Sequence, residues 1–196
     1  MLKFYQEVEM ETFGVLFIIL VVLTVVPVLL YNSLIAKKNA VYNALSSVDV
    51  YLKQRYDLIP NLVASVKEYM KHERELLERI TELRSRLGSG LSQQDRFRAE
   101  GELSNLLGRL LMVAENYPQL RASENFLHLQ KTLNEIEERI SAARRAYNAS
   151  VTDYNNALEM FPTNLMAGVM GLKKEEWFEI PEEERAVPQV SKLFGS

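Results

Sequence analysis

The sequence lacks cysteine altogether and has little glycine or proline, 8 and 6 among its 196 residues. Without cysteine the chain forms no disulfide and has neither a thiolate metal site nor a thiol nucleophile. The scarcity of glycine and proline favours long helices, because these residues commonly separate helices and strands. The 23 basic and 26 acidic residues are mixed along the chain, so no basic block indicates nucleic-acid binding.

What the sequence does contain is one long uncharged stretch, residues 12–36. From Phe13 to Tyr31 it consists almost entirely of Val, Leu, Ile and Phe. At about 1.5 Å per residue it would extend roughly 37 Å as a helix, more than the roughly 30 Å hydrocarbon core of a bilayer. Its apolar residues surround the helix instead of forming one face, which predicts a transmembrane helix.

The residues flanking this stretch predict its orientation. A cleaved signal peptide, the alternative, needs a basic start, an apolar core of about 7–15 residues and a small-residue cleavage site. The leader has one lysine against three glutamates, and no such cleavage site follows. Because Lys37 and Lys38 follow the stretch, the positive-inside rule predicts that the N-terminus lies outside the inner membrane and the body is cytoplasmic. Pro27 predicts a kink within the span.

Beyond the span, apolar residues recur at alternating steps of three and four. The stripes run from Leu34 to Leu87, from Ala99 to Tyr117 and from Phe126 to Phe161. Such stripes are typical of helices that pack lengthwise, as in coiled coils. They predict an all-α fold, in which an N-terminal transmembrane helix is followed by an up-and-down bundle of long antiparallel helices.

The predicted organisation has four parts. They are a short extracytoplasmic leader at 1–11, the transmembrane helix at 12–36, the cytoplasmic bundle at 37–172 and an acidic, mostly extended tail at 173–196.

Pro60 leaves the number of helices open. Either one helix ends there and another begins, with Asp57 as its cap, which gives four helices, or one continuous helix kinks, which gives three. We expect the break, because the bundle then closes with helices of similar length. Gly88-Ser89-Gly90 predicts a turn, and Ser92 with Asp95 three residues later resembles a capping box that opens the next helix.

The segment from Asn164 to Leu172 is short, apolar and rich in methionine. It could cover the end of the bundle as a lid or lie on the membrane surface. We expect the lid, because helices that bind membrane surfaces usually have Lys and Arg on their polar face. In the tail, the predicted anchors onto another surface are Trp177, Phe178, Val190, Leu193 and Phe194.

Several distinctive blocks of sequence occur in order along the chain. They are RYDLIPNLV (Arg55 to Val63), VKEYMKHE (Val66 to Glu73), AENYPQLRASENFLHLQ (Ala114 to Gln130), the run from Ile136 to Asn155, and FPTNLMA (Phe161 to Ala167). Together they resemble the LemA family, from Tyr31 to about Phe178. The resemblance implies a single N-terminal membrane helix, a short outside N-terminus and a cytoplasmic helical bundle. It transfers no catalytic residue, because the family has no established biochemical activity.

Residues suited to catalysis or metal binding are sparse. His72 and His128, the only histidines, each follow a glutamate (Glu68 or Glu124) by four positions. Di-metal sites in bundles use a Glu-His spacing of three, with further glutamates. The sequence has no phosphate loop, nucleophile elbow or complete zinc-protease motif. We therefore predict no catalytic residue, no cofactor and no metal ligand, and a protein that is not an enzyme.

Polar residues inside the family-like blocks allow two interpretations. They are Arg55, Asp57 and Asn61 near Pro60, and Arg144, Asn148, Asp153 and Asn155 late in the last helix. They could form a buried polar cluster that fixes helix register or binds a partner, or they could serve as caps near helix ends. We expect caps.

The predicted function is that of a membrane-anchored scaffold, inserted in the bilayer through Phe13 to Tyr31. Its bundle would bind further copies of the chain, other membrane proteins, or both, and no nucleic acid. The alternatives are an enzyme or a metal- or ligand-binding protein with its site inside the bundle, and a lipid-sensing membrane protein.

Overall fold

The computed structural model describes residues 2–178, with side chains at residues 10 and 12–178. Every regular element in this part of the chain is helical. The α-helices are α1 (Leu2–Lys67), α2 (Arg74–Leu87), α3 (Gln93–Ala114), α4 (Pro118–Arg121), α5 (Glu124–Glu159) and α6 (Thr163–Val169), and a short 3-10 helix, Lys71–Glu73, precedes α2. The predicted all-α class is confirmed. The predicted anchors Val190, Leu193 and Phe194 lie outside the described residues.

The chain divides into two compact units. Among the described residues, the anchor unit consists of 2–43 together with Ala149–Glu175, and the bundle unit consists of Ala44–Asn148 together with 176–178. Both α1 and α5 contribute residues to each unit.

In the bundle unit, α1 to α5 all contribute to an apolar core. Its fully buried residues include Leu62 of α1, Ile80 of α2, Leu103 of α3, Leu120 of α4 and Phe126 of α5. All but Leu120 belong to the predicted stripes, which confirms helices packed along them.

Ion pairs and hydrogen bonds fix the directions of the helices in the bundle unit. Asp49 pairs with Arg96, and Arg55 binds Ser104, so α1 and α3 run in the same direction. Short connections join α2 to α1 and to α3. Arg79 of α2 pairs with Glu102 of α3 at 2.8 Å.

The predicted helix break at Pro60 is wrong, because α1 continues to Lys67. A proline leaves the carbonyl group four residues earlier, here that of Tyr56, without its helical donor. Arg84 of α2 supplies the missing donor, with 2.8 Å between its Nε and the carbonyl oxygen. Asp57 therefore lies inside a helix and pairs with Lys53 at 3.1 Å instead of forming a cap. Four long helices still result, because the chain leaves the helix at residues 68–70.

The connection between α2 and α3 follows the sequence prediction. Gly90 has a φ of +70°, a left-handed conformation that glycine adopts without a Cβ penalty. Ser92 is the N-cap of α3, and its Oγ accepts a hydrogen bond from the backbone N–H of Asp95 at 3.2 Å. Both the turn and the cap are confirmed.

The anchor unit contains the apolar part of α1. Within the described residues, α1 is the one helix long and apolar enough to cross a membrane, and none of its most apolar window is buried. Beyond this stretch Leu34 is fully buried and shares a small apolar cluster with Ala157 of α5 and Ala167 of α6.

Candidate functional site

Arg55 is the centre of a buried polar network in the bundle unit. It lies between the buried residues Leu52 and Ile59 at helical spacing, so α1 directs its side chain into the core. Its guanidinium group donates to the carboxylate of Glu100 on α3 and, at 2.7 Å, to Ser104 Oγ. It also donates to Glu137 Oε1 of α5 at 2.9 Å. One side chain of α1 thus binds both α3 and α5.

Glu100 is as fully buried as Arg55 and has a second partner on α1. The hydroxyl group of Tyr56 donates to its other carboxylate oxygen. Burial raises the pKa of Glu100 to about 7, although the positive charges of Arg55 and Arg144 oppose the rise. The carboxyl group can therefore hold a proton near neutral pH, and Arg55 then still has Glu137 as its counter-charge.

Ser104 and Glu137 close the network on its outer side. Ser104 Oγ donates to Glu137 Oε2 at 3.1 Å, and the Glu137 side chain is 29% exposed. Arg55 and Glu100 do not reach the solvent, and their hydrogen bonds go to protein groups. This geometry suits a network that holds three helices in register better than one that receives a substrate.

A second polar site in the bundle unit binds the chain after α6. Asn148 of α5 accepts a hydrogen bond from the backbone N–H of Phe178 at 2.8 Å and donates to its carbonyl oxygen at 3.0 Å. The buried ring of Phe178 stacks on Phe97 of α3, with 4.0 Å between ring centroids, and the Arg144 guanidinium lies 4.3 Å from its centroid. Phe178 is thus confirmed as an anchor, whereas Trp177 is about half exposed.

The anchor unit repeats this arrangement. Buried Asn155 of α5 donates to the carbonyl oxygen of Glu175 at 2.9 Å and accepts from its backbone N–H at 3.0 Å. A side-chain amide can satisfy both backbone groups of one residue because it has a donor and an acceptor side by side. Each asparagine therefore binds extended backbone as a neighbouring strand would.

These contacts correct the expectation that the polar residues are caps. Arg55, Asn148 and Asn155 all bind groups far away in sequence, so the cap interpretation is wrong for these three. Asp57, Asn61 and Asp153 are exposed. Glu100 and Glu137 were missed by the sequence analysis. A signal for Glu100 existed, because it lies three residues from both Phe97 and Leu103, in a position where α3 otherwise has apolar residues.

A groove of about 950 Å³ lies between the end of α1 and α2. Its floor includes the apolar residues Val63, Met70 and Leu77. Charged side chains of both signs surround them, namely Lys67, Lys71, Arg74, Glu78, Glu82 and Arg86. An apolar floor with a charged rim is the kind of surface that accepts an amphipathic helix.

The structure offers no metal centre in the part of the chain that it describes. No group of three or more metal-ligating side chains comes together there. The two histidines, His72 and His128, are both exposed.

Comparison with known proteins places these features in a family. Residues 44–191 match the LemA family, and this range includes the Arg55 network, the groove and Asn148. The chain is 26% identical to magnetosome protein MamQ 2 of Paramagnetospirillum magneticum, over 76% of this chain and 64% of that protein. It is 34% identical to MamQ of Magnetospirillum gryphiswaldense, over 47% of this chain and 34% of that protein. It is 29% identical to protein LemA of Metamycoplasma hominis, over 83% of this chain and 74% of that protein.

The chain therefore spans less than two thirds of the length of the MamQ relatives that it matches. The family match is broader, because it extends over most of this chain and covers all five of the described α-helices after α1. The chain belongs to the LemA family.

Proposed function

We propose that this chain is a membrane-anchored scaffold, with its N-terminus outside the inner membrane and its bundle unit in the cytoplasm. The observation that supports this most strongly is the exposure of the apolar side chains of α1. Phe13, Phe17, Leu20, Leu23 and Leu29 are all more than half exposed. Because each such side chain gains roughly 1.5–3 kcal/mol on leaving water, a bilayer is the natural environment for this surface.

The proposed orientation rests on the charges that follow the apolar stretch. Lys37 and Lys38 lie within two turns of Tyr31, and cytoplasmic flanks are enriched in such residues. The absence of cysteine allows a direct test with single introduced cysteines and a membrane-impermeant maleimide on intact cells. We expect Met10→Cys to react on intact cells and Asn105→Cys to react only after lysis. The opposite pattern would rule out the orientation.

Binding is the proposed role of the bundle unit because the concavity between the end of α1 and α2 is an open groove. Small-molecule sites are usually enclosed and have a few converging polar groups, whereas this groove has an apolar floor and a rim of charged side chains. The buried Arg55 network uses its own protein groups as hydrogen-bond partners. Both features support recognition of another polypeptide over catalysis.

We assign a second copy of this chain as the occupant of the groove. A two-fold interface requires a surface that is complementary to itself, and the rim has both signs of charge. Arg74 and Glu78 pair with each other at 2.7 Å on the exposed surface of α2. Such exposed pairs contribute little to stability, so they can exchange partners when a second copy binds.

Oligomeric state tests this assignment. Thr81 and Ser85 line the groove, so Ser85→Tyr obstructs it, while Asn105→Tyr places the same ring at an exposed position of α3 outside the groove. We expect the full chain to form dimers or larger assemblies in nanodiscs and in cross-linked membranes. Ser85→Tyr should shift the mass toward the monomer and Asn105→Tyr should not. A wild-type chain that is strictly monomeric in intact membranes would refute self-association.

A further inference from the structure

Exposed apolar side chains outside the membrane-spanning stretch are concentrated at α6. Met160, Phe161, Leu165 and Val169 are 63%, 79%, 64% and 86% exposed. Leu165 and Val169 are four residues apart, on one face of α6, while Met160 and Phe161 lie in the turn just before it. Elsewhere beyond residue 31 of the described chain, large exposed apolar residues such as Val50, Met112 and Leu127 occur singly. Isolated residues of this kind are normal on protein surfaces, whereas a contiguous patch marks an interaction site.

The opposite side of α6 attaches it to α1. Ala167 is buried in the same apolar cluster as Leu34, and Met166, Met170 and Leu172 pack against that cluster. Leu34 lies three residues beyond Tyr31, about 4.5 Å further along the helix. If the stretch ending at Tyr31 spans the bilayer, α6 lies at the depth where acyl chains meet headgroups.

Basic residues beside α6 match the anionic headgroups expected at that depth. Lys173 and Lys174 follow α6 directly and are exposed, and Lys174 also pairs with Glu159. Lys37 and Lys38 lie one turn beyond Leu34 on α1. Segments that bind membrane surfaces combine an apolar face with nearby cations. The lysines that α6 itself lacks are therefore supplied by its neighbours in the anchor unit.

We propose that the α6 face, defined here as Leu165 and Val169, inserts into the bilayer surface beside α1, together with Phe161 of the turn before α6. Its ligands are the upper acyl chains and anionic headgroups of the lipid. The lid interpretation accounts for the burial of Ala167 but not for the exposure of Leu165 and Val169. This inference rests on the proposed anchoring of α1 and adds a second, shallower membrane contact.

Spin labels on single cysteines test the insertion in the full chain, reconstituted in vesicles of phosphatidylcholine and phosphatidylglycerol. Labels at Leu165→Cys and Val169→Cys report the α6 face. Leu23→Cys is the control for the membrane-spanning stretch, and Met112→Cys is an exposed apolar position of the bundle unit. We expect oxygen, which partitions into lipid, to relax the labels at 165, 169 and 23 more than a water-soluble nickel complex does. The label at 112 should show the reverse.

Other outcomes are distinguishable. If labels at 165 and 169 respond as the label at 112 does while the label at 23 remains in lipid, the α6 face lies in water and the inference fails alone. Dipolar broadening with protection from both reagents would place a second copy of the chain on this face and would also overturn it. If the label at 23 is accessible to nickel, the proposed anchoring itself fails.

Discussion

Arg84 of α2 donates to the main-chain carbonyl of Tyr56, the group that Pro60 deprives of its donor, with 2.8 Å between the two atoms. A hydrogen bond from a charged donor contributes about 1.5–3 kcal/mol, which is comparable with the cost of about 3 kcal/mol for an interior proline. The proline in one helix and the arginine in another therefore compensate each other, and α1 continues.

This relationship predicts a coupling between Arg84 and Pro60. Arg84→Met should lower the free energy of unfolding by about 1–3 kcal/mol, because the carbonyl of Tyr56 is left without a donor. In a Pro60→Ala background the helix supplies its own N–H, so the same change should cost much less. Urea denaturation of the four proteins in detergent measures the coupling. Arg109→Met, at an exposed position of α3, serves as the control. Equal costs in both backgrounds would contradict the compensation.

Removing one member of the Arg55–Glu100 pair should be more damaging than replacing both. Arg55→Met alone leaves the Glu100 carboxyl group buried without its cation, and breaking a buried pair costs about 3–5 kcal/mol. The double variant Arg55→Met with Glu100→Leu fills the same space with apolar groups, and its remaining carboxylate, Glu137, can be hydrated. We expect the double variant to unfold at higher urea concentration than Arg55→Met. If the two losses simply add, the charges are not coupled.

The stability of the bundle should fall as pH rises through the range in which Glu100 titrates. Because its folded-state pKa, about 7, is above the usual value of 4.5, the folded protein binds more protons than the unfolded chain between these limits. Its contribution to stability is thus present at low pH and is lost as pH approaches 7. We expect the difference in unfolding free energy between wild type and Glu100→Gln to change by about 1 kcal/mol per pH unit within that window. A pH-independent difference would contradict the raised pKa.

Phe178 should stabilise the bundle unit although it follows the last helix by several residues. Phe178→Ala removes a buried ring that stacks on Phe97, and such changes cost about 3–5 kcal/mol. Its neighbour Trp177 is about half exposed, so Trp177→Ala should cost clearly less. Thermal unfolding of the two variants tests this order. The backbone N–H of Phe178 donates to the side-chain oxygen of Asn148, so its hydrogen exchange should accelerate in Asn148→Ala. Equal melting temperatures for both alanine variants would show that the ring adds nothing.

How much of this could be predicted from the sequence depended on whether the determining contacts were local. The apolar stripes, the Ser92 cap and the Gly90 turn depend on neighbouring residues, and all were predicted. The continuation of α1 through Pro60 depends on Arg84, a partner in another helix that no local pattern indicates. Asn148 and Asn155 bind backbone groups. The periodicity of side chains does not indicate such contacts, so they could not be predicted from the sequence.

The α6 segment shows a different limit. Its apolar composition predicted contact with something hydrophobic, but composition alone does not tell which side faces the core. The structure buries Ala167 and exposes Leu165 and Val169, and this division is what separates a lid from a membrane contact.

Two consecutive residues, Arg55 and Tyr56, together contact α2, α3 and α5. Inserting a single residue ahead of them in α1 would rotate them by about 100° relative to the preceding part of that helix, so these contacts and the burial of the preceding apolar stripe could not both be kept. Homologous chains should accordingly differ in length at the loop around Ser89, where no helical register has to be kept. They should keep a constant number of residues within the helical stretches on either side of Arg55.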